Sequence, residues 1–177
     1  MLVKNKKNFL LLVAALLLGV ISIYGYLNSS FYLNGNDEES IIKTIHSIDM
    51  HKDSSIEVIE IKNIGSQRIV PFLDNGRPAY IQFTKNKYGN YKWNSVERSS
   101  GGSLSNFLIH NDGRFSLFLV VTTEENEIAK MKLGVNEHVY IKEFEIHKNS
   151  ATWIDLPDDK EQRYTYNYYD KDGNLIE

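Results

Sequence analysis

Three spacings of apolar residues follow one another along this chain. Phe9 to Leu27 is an unbroken run of 19 residues without a charge. As a helix rising about 1.5 Å per residue it extends roughly 28 Å, close to a bilayer core of about 30 Å. Residues 37–50 then carry apolar side chains at helical spacing. Ile41, Ile42, Ile45 and Ile48 share one face, and Lys43, Thr44, His46 and Ser47 fall mostly elsewhere. Asn36 or Asp37 can cap this helix; with Asn36 as the cap, Glu39 falls at the third helical position and completes a capping box. From Ile56 onward the spacing drops to two, the period of strands.

Ile56–Asn63 and Arg68–Leu73 are β-rich, the second closed by Asp74, Asn75 and Gly76. Ala79, Ile81 and Phe83 alternate with Tyr80, Gln82 and Thr84, which predicts a strand with one buried face. Lys85–Asn90 holds the turn residues Tyr88, Gly89 and Asn90, and Tyr91, Trp93 and Ser95 alternate on the return strand. Ser99–Ser105 reads as an internal loop. Asn111-Asp112-Gly113 predicts a tight turn before Arg114–Thr122. In that segment Phe115, Leu117, Leu119 and Val121 line one face while Phe118 and Val120 line the other, the pattern of a central strand. Ile128–Leu133, His138–His147, Ala151–Leu156 and Arg163–Tyr169 continue the series, and Asp170–Asn174 turns into a short last strand. The expected fold class is α+β, mainly β. It comprises an N-terminal transmembrane helix, one amphipathic helix, and a mostly antiparallel sandwich- or barrel-like sheet system.

The apolar run decides where such a domain works. Lys4, Lys6 and Lys7 precede it, and basic flanks stay in the cytoplasm. The residues that follow it, Tyr24 to Asn28, make a poor signal-peptidase site, and the two tyrosines suit a membrane interface. We therefore read an uncleaved anchor. Residues 1–8 form a cytoplasmic tail, 9–27 the anchor, 28–36 a linker reaching at most about 30 Å, and 37–177 an extracytoplasmic domain. If that domain divides, its lobes are 37–97 and 105–177.

Charge and composition narrow the chemistry. Without the three N-terminal lysines, 17 basic residues face 23 acidic ones, a net of −6 for the exterior part. Such a domain is a poor partner for nucleic acid. There is no cysteine, which rules out a lipidated-cysteine anchor, disulfides, thiolate metal sites and a cysteine nucleophile. The Lys/Asn/Ile/Tyr-rich, cysteine-free exterior with its short basic tail resembles small single-pass membrane-anchored extracytoplasmic proteins of unknown function from Bacillus-type Firmicutes. The resemblance is one of general style and implies no active site.

Each chemical motif has a plainer reading. Asp170-Lys171-Asp172-Gly173-Asn174 places oxygens as a calcium loop does, but the glycine is misplaced and the twelfth position would lie beyond Glu177, so a hairpin turn is favoured. His46, His51, His110, His138 and His147 lack zinc spacing. Ser100-Gly101-Gly102-Ser103 is a loop and not a nucleophile elbow. Glu124, Glu125, Glu127, Asp158 and Asp159 are turn carboxylates that could serve a cell-envelope hydrolase. No cofactor is expected.

Two surfaces remain as binding candidates. The first is Lys85, Lys87, Tyr88, Tyr91, Lys92 and Trp93, a basic and aromatic hairpin suited to anionic head groups or an anionic envelope polymer. The second is Tyr164, Tyr166 and Tyr168 on one strand face, which either meet a partner or complete a core. The expected function is a membrane-tethered binding module for a membrane-proximal protein or envelope component, with the hydrolase as the alternative.

Overall fold

A computed structural model describes residues 2–111, 115–157 and 163–176. The first element, α1 (Leu2–Tyr32), is a 31-residue helix. Its described large apolar side chains are exposed all round, from Phe9 (69%) through Leu16 (62%) to Ile23 (61%). Among the described residues no helix is long and apolar enough to cross a membrane. The side chains described without a break in α1 run from Asn8 to Tyr24, which as helix rise about 25 Å.

The linker expected over 28–36 is largely absent. Helix α1 continues to Tyr32, and Asn34 is already buried. Helix α2 (Glu38–His46) starts directly after, capped by Asp37 and not by Asn36: the Asp37 carboxylate accepts from the Ser40 amide at 2.8 Å. That bond, with one from the Ser40 hydroxyl, holds the Asp37 carboxyl below its usual range. Asn36 is occupied elsewhere, because its side chain bonds the β-domain. Ile41 and Ile45 are fully buried as expected. Thr44, expected off the core face, is buried too, and its hydroxyl donates to the carbonyls of Asn34 and Ser40. A short 3₁₀ turn (Asp49–His51) ends the helical part.

The strands form three antiparallel sheets. The first contains β1 (Ile56–Val58), β2 (Lys62–Ile64), β3 (Gln67–Asp74), β4 (Arg77–Lys85) and β5 (Tyr91–Arg98). β1 and β2 share one edge of β3, so the strand expected over 56–63 is split. The split faces Pro71, which has no N–H to offer a neighbour; its carbonyl still accepts from Ile59. Asn75-Gly76, both at positive φ, make the two-residue turn into β4. The second sheet is β6 (Leu104–Asn111), β7 (Phe115–Thr122) and β10 (Ser150–Leu156), with β7 in the middle. The turn residues Asp112 and Gly113 lie outside the described residues. The third sheet runs β12-β11-β8-β9, made of β8 (Lys130–Val135), β9 (His138–Glu143), β11 (Tyr164–Tyr169) and β12 (Leu175–Ile176).

Three apolar layers stack these parts. Ile41 and Ile45 of α2 meet Val70, Phe72, Ile81 and Phe83 on one face of the first sheet. The other face of that sheet, with Ile69, Leu73 and Tyr80, meets Phe107, Leu117, Leu119 and Val121. Phe118 and Val120 then face Met131, Leu133 and Val135 of the third sheet. The order is helix, sheet, sheet, sheet. β7 is the central strand that its two apolar faces predict. β4 departs from expectation: Tyr80 and Gln82 are buried as well as Ala79, Ile81 and Phe83, because the second sheet covers its supposed outer face. The middle layer draws on both sides of the Ser99–Ser105 loop, so the two suggested lobes share a core.

Candidate functional site

The β4–β5 hairpin places the first candidate surface. Lys85, Lys87 and Lys92 are exposed, and Tyr88 at the tip is 78% exposed. Lys87 Nζ lies 5.0 Å from the Tyr88 ring centroid. Asn86 shapes the tip, its side-chain oxygen accepting from the amides of Tyr88 and Asn90. Tyr91 and Trp93 belong to the core beneath. Tyr91 is buried, and Trp93 packs at the edge of the same cluster. A bulge opposite Gln82 and Phe83 explains the change of face: Trp93 pairs with Phe83 but Ser95 pairs with Gln82, so Ser95 leaves the face it was expected to share. The accessible surface is thus Lys85, Lys87, Tyr88 and Lys92.

This hairpin is fastened to the exit of α1. The Gly35 amide donates to the Tyr91 carbonyl at 2.9 Å. Asn36 accepts from the Tyr91 amide at 3.0 Å through its side-chain oxygen and donates to the Asn90 side chain at 3.0 Å. Arg68 donates to the carbonyls of Gly35 and Asn36, and its guanidinium lies 4.0 Å from the Tyr91 ring centroid. Gly35 sits against the Phe83 ring, where a β-carbon would come within 2.5 Å. Leu33 alone separates the end of α1 from the first docked residue. Nothing in the apolar periodicity announces this clamp. The Gly35-Asn36 pair was the available signal, and it reads equally well as linker.

The tyrosine face lies on the third sheet, with the second sheet between it and the hairpin's sheet, so the two candidate surfaces are separate. Tyr164 stacks on Phe118 with centroids 6.2 Å apart, and Tyr168 accepts from the Asn106 side chain. Burial pushes the phenols of both upward. Tyr166, 50% exposed, is the member that faces outward. Tyr169 is on the opposite face, under Lys130 at 4.6 Å.

The remaining motifs resolve locally. Both Asp170 oxygens are taken by its own turn, accepting from the amides of Asp172 and Asn174 and from the Asn174 side chain. The Ser105 hydroxyl, at the start of β6, donates to that of Ser99 at 2.7 Å. Glu124 and Glu125 line a shallow cleft of about 210 Å³ with Glu57 and Asn149, whereas Glu127 opens on a different one. Asp158 and Asp159 lie outside the described residues.

One polar cluster went unforeseen, because its members are far apart in sequence and Asp74 reads as a turn residue. The fully buried Asp74 carboxylate accepts from His51 Nδ1 at 2.8 Å and from Arg98 at 2.7 Å. Burial alone would push this carboxyl upward. Hydrogen bonds from Ser54, Arg98 and His51 outweigh burial and hold it below the usual range. Among the described residues His51 Nε2 is buried without a hydrogen-bond partner, and the ring meets Phe72 edge-on. Among the described residues no group of three His, Asp or Glu side chains could hold a metal ion.

Neither a family model, nor a curated protein, nor a solved structure significantly matches this chain.

Proposed function

We propose that the chain is a membrane-tethered extracytoplasmic interaction module, held by α1 and presenting its β-domain to a partner close to the bilayer. The observation that carries this reading is the exposure of apolar side chains around the whole circumference of α1. A helix apolar on every side needs an apolar environment on every side, and among the described residues these side chains stay exposed. The described side chains are continued in sequence by the uncharged Gly25, Tyr26 and Leu27, which restores a run of about 28 Å. The lysines before the run orient the N-terminus inward and the domain outward. The exposed part of the β4–β5 hairpin, Lys85, Lys87, Tyr88 and Lys92, is the binding surface for an anionic, membrane-proximal ligand.

Extraction of the membrane fraction with alkaline carbonate, combined with protease treatment of intact cells, tests the tether. The full chain should stay with the lipid, and its β-domain should be cut from outside. Release by carbonate would overturn the reading. The cleft bearing Glu57, Glu124 and Glu125 favours a second reading, an envelope hydrolase. Envelope-polymer cleavage by the full chain that is lost in Glu124→Gln and Glu125→Gln would establish it in place of the first.

A further inference from the structure

We infer that the Lys85–Lys92 hairpin docks on the anionic phospholipid head groups of the same bilayer that holds α1, fixing the domain in one orientation. This deepens the tethering proposal and rests on it. Distance puts the contact within reach. From Leu27, the end of the apolar run, five further residues bring α1 to Tyr32. They rise about 7–8 Å, roughly the depth of one head-group layer. The chain is then clamped at once to Asn90 and Tyr91. Tyr88 lies three residues from Tyr91, hence within about 10 Å of that clamp. A lysine stem covers much of what remains while keeping its ammonium in the polar layer.

Charge points the same way. The exterior part is acidic overall, yet Lys85, Lys87 and Lys92 gather beside the helix exit with Arg68 behind them. The acidic groups that follow the clamp directly in the chain are Asp37, Glu38 and Glu39 at the start of α2. Asp37 is engaged as a cap, and Glu39 pairs with Lys43 at 2.6 Å. The cleft with Glu57, Glu124 and Glu125 includes Gly76, in the turn at the opposite end of β4. The nine residues of β4 place that turn about 26 Å away. Glu57, Glu124 and Glu125 therefore lie away from the three lysines. Near an anionic surface each lysine strengthens contact roughly fivefold, and tethering makes the contact intramolecular. Tyr88 adds an amphipathic ring of the kind favoured at this depth.

The absence of cysteine permits a clean test. Full-length Tyr88→Cys is labelled with a fluorophore and reconstituted in nanodiscs of neutral lipid alone or with about 30% anionic phospholipid. A Lys171→Cys label on the third sheet is the control. Acrylamide quenching at position 88 should fall at least about threefold on anionic lipid, recover near 1 M salt, and stay high when Lys85, Lys87 and Lys92 are replaced by Glu. Quenching at position 171 should not change with lipid. Equal quenching at position 88 in both lipids, in a protein that has inserted, would overturn this inference while leaving the tether intact. Shielding by soluble poly(glycerol phosphate) but not by anionic lipid would overturn it in favour of a wall polymer. Failure of the full chain to insert would overturn the tether itself.

Discussion

At the scale of single residues, the clamp and the buried ion pair make the sharpest predictions. Gly35→Ala puts a β-carbon into the Phe83 ring, and overpacking of this kind costs about 1–3 kcal/mol. Chemical denaturation should register that loss, and the double variant with Phe83→Leu should recover part of it, since contacting residues do not add independently. Asp74 predicts an acid limb. Its folded pKa lies below its unfolded value of 3.8, so its contribution is complete above that value and is lost as pH falls through the folded one. Asp74→Asn should destabilise the domain by about 3 kcal/mol at neutral pH, because Arg98 loses its counter-charge and His51 Nδ1 its carboxylate acceptor. Its stability should also decline less steeply than the wild type's below about pH 4. A parallel loss in both proteins would refute the assignment. Tyr80 marks the alkaline side. Burial, then the Glu97 carboxylate that accepts from its hydroxyl, pushes the phenol up to about 12. Stability from this group holds below pH about 10 and is lost as pH rises toward 12.

At the scale of elements, what could be read in advance followed from how many neighbours each segment has. β7 was legible because a strand buried on both faces must be apolar on both, and Leu119 and Val120 show it directly. Leu119→Ala should therefore cost about 3–5 kcal/mol, as for a core leucine with no route to solvent, and thermal unfolding would show whether it does. β4 was only half legible. Tyr80 and Gln82 are polar enough to suggest solvent, but Tyr80 reaches Glu97 and Gln82 bonds Gln67 at 2.6 Å, so both are buried with partners. The division of β1 from β2 hinges on Pro71, which lies on another strand, and no local pattern reveals it. Helix α2 was legible, but its cap stayed open between Asn36 and Asp37, which are equivalent by residue type, until the Asp37–Ser40 bond decided it. The candidate hairpin was located from its residues, whereas its attachment to Gly35 and Asn36 depends on pairs more than 50 positions apart, as with Asn36 and Asn90.

At the scale of the whole molecule, two proposals meet: α1 as the tether and the hairpin as its lipid contact. Four groups join them, namely Gly35, Asn36, Arg68 and Tyr91, and together they replace a supposed leash with a fixed joint. Inserting a flexible Gly/Ser segment after Leu33 should leave the β-domain folded, because the clamp lies downstream of the insertion. It should also relax the position of the hairpin relative to the lipid surface, raising acrylamide access at position 88 on anionic nanodiscs. Unchanged access would mean that the lysines hold the hairpin down without help from the joint.

The joint also makes azimuth a property of the chain. With Leu33 as the only spacer, each residue added to α1 between Asn28 and Tyr32 turns everything beyond it by about 100° around the helix axis and lifts it by about 1.5 Å. One inserted alanine would swing the hairpin to another bearing, whereas four would bring it back to within about 40° of where it began. If a neighbour in the membrane reads one side of this domain, its response should rise and fall with insert length at the pitch of the helix, about 3.6 residues, and not decay smoothly with distance.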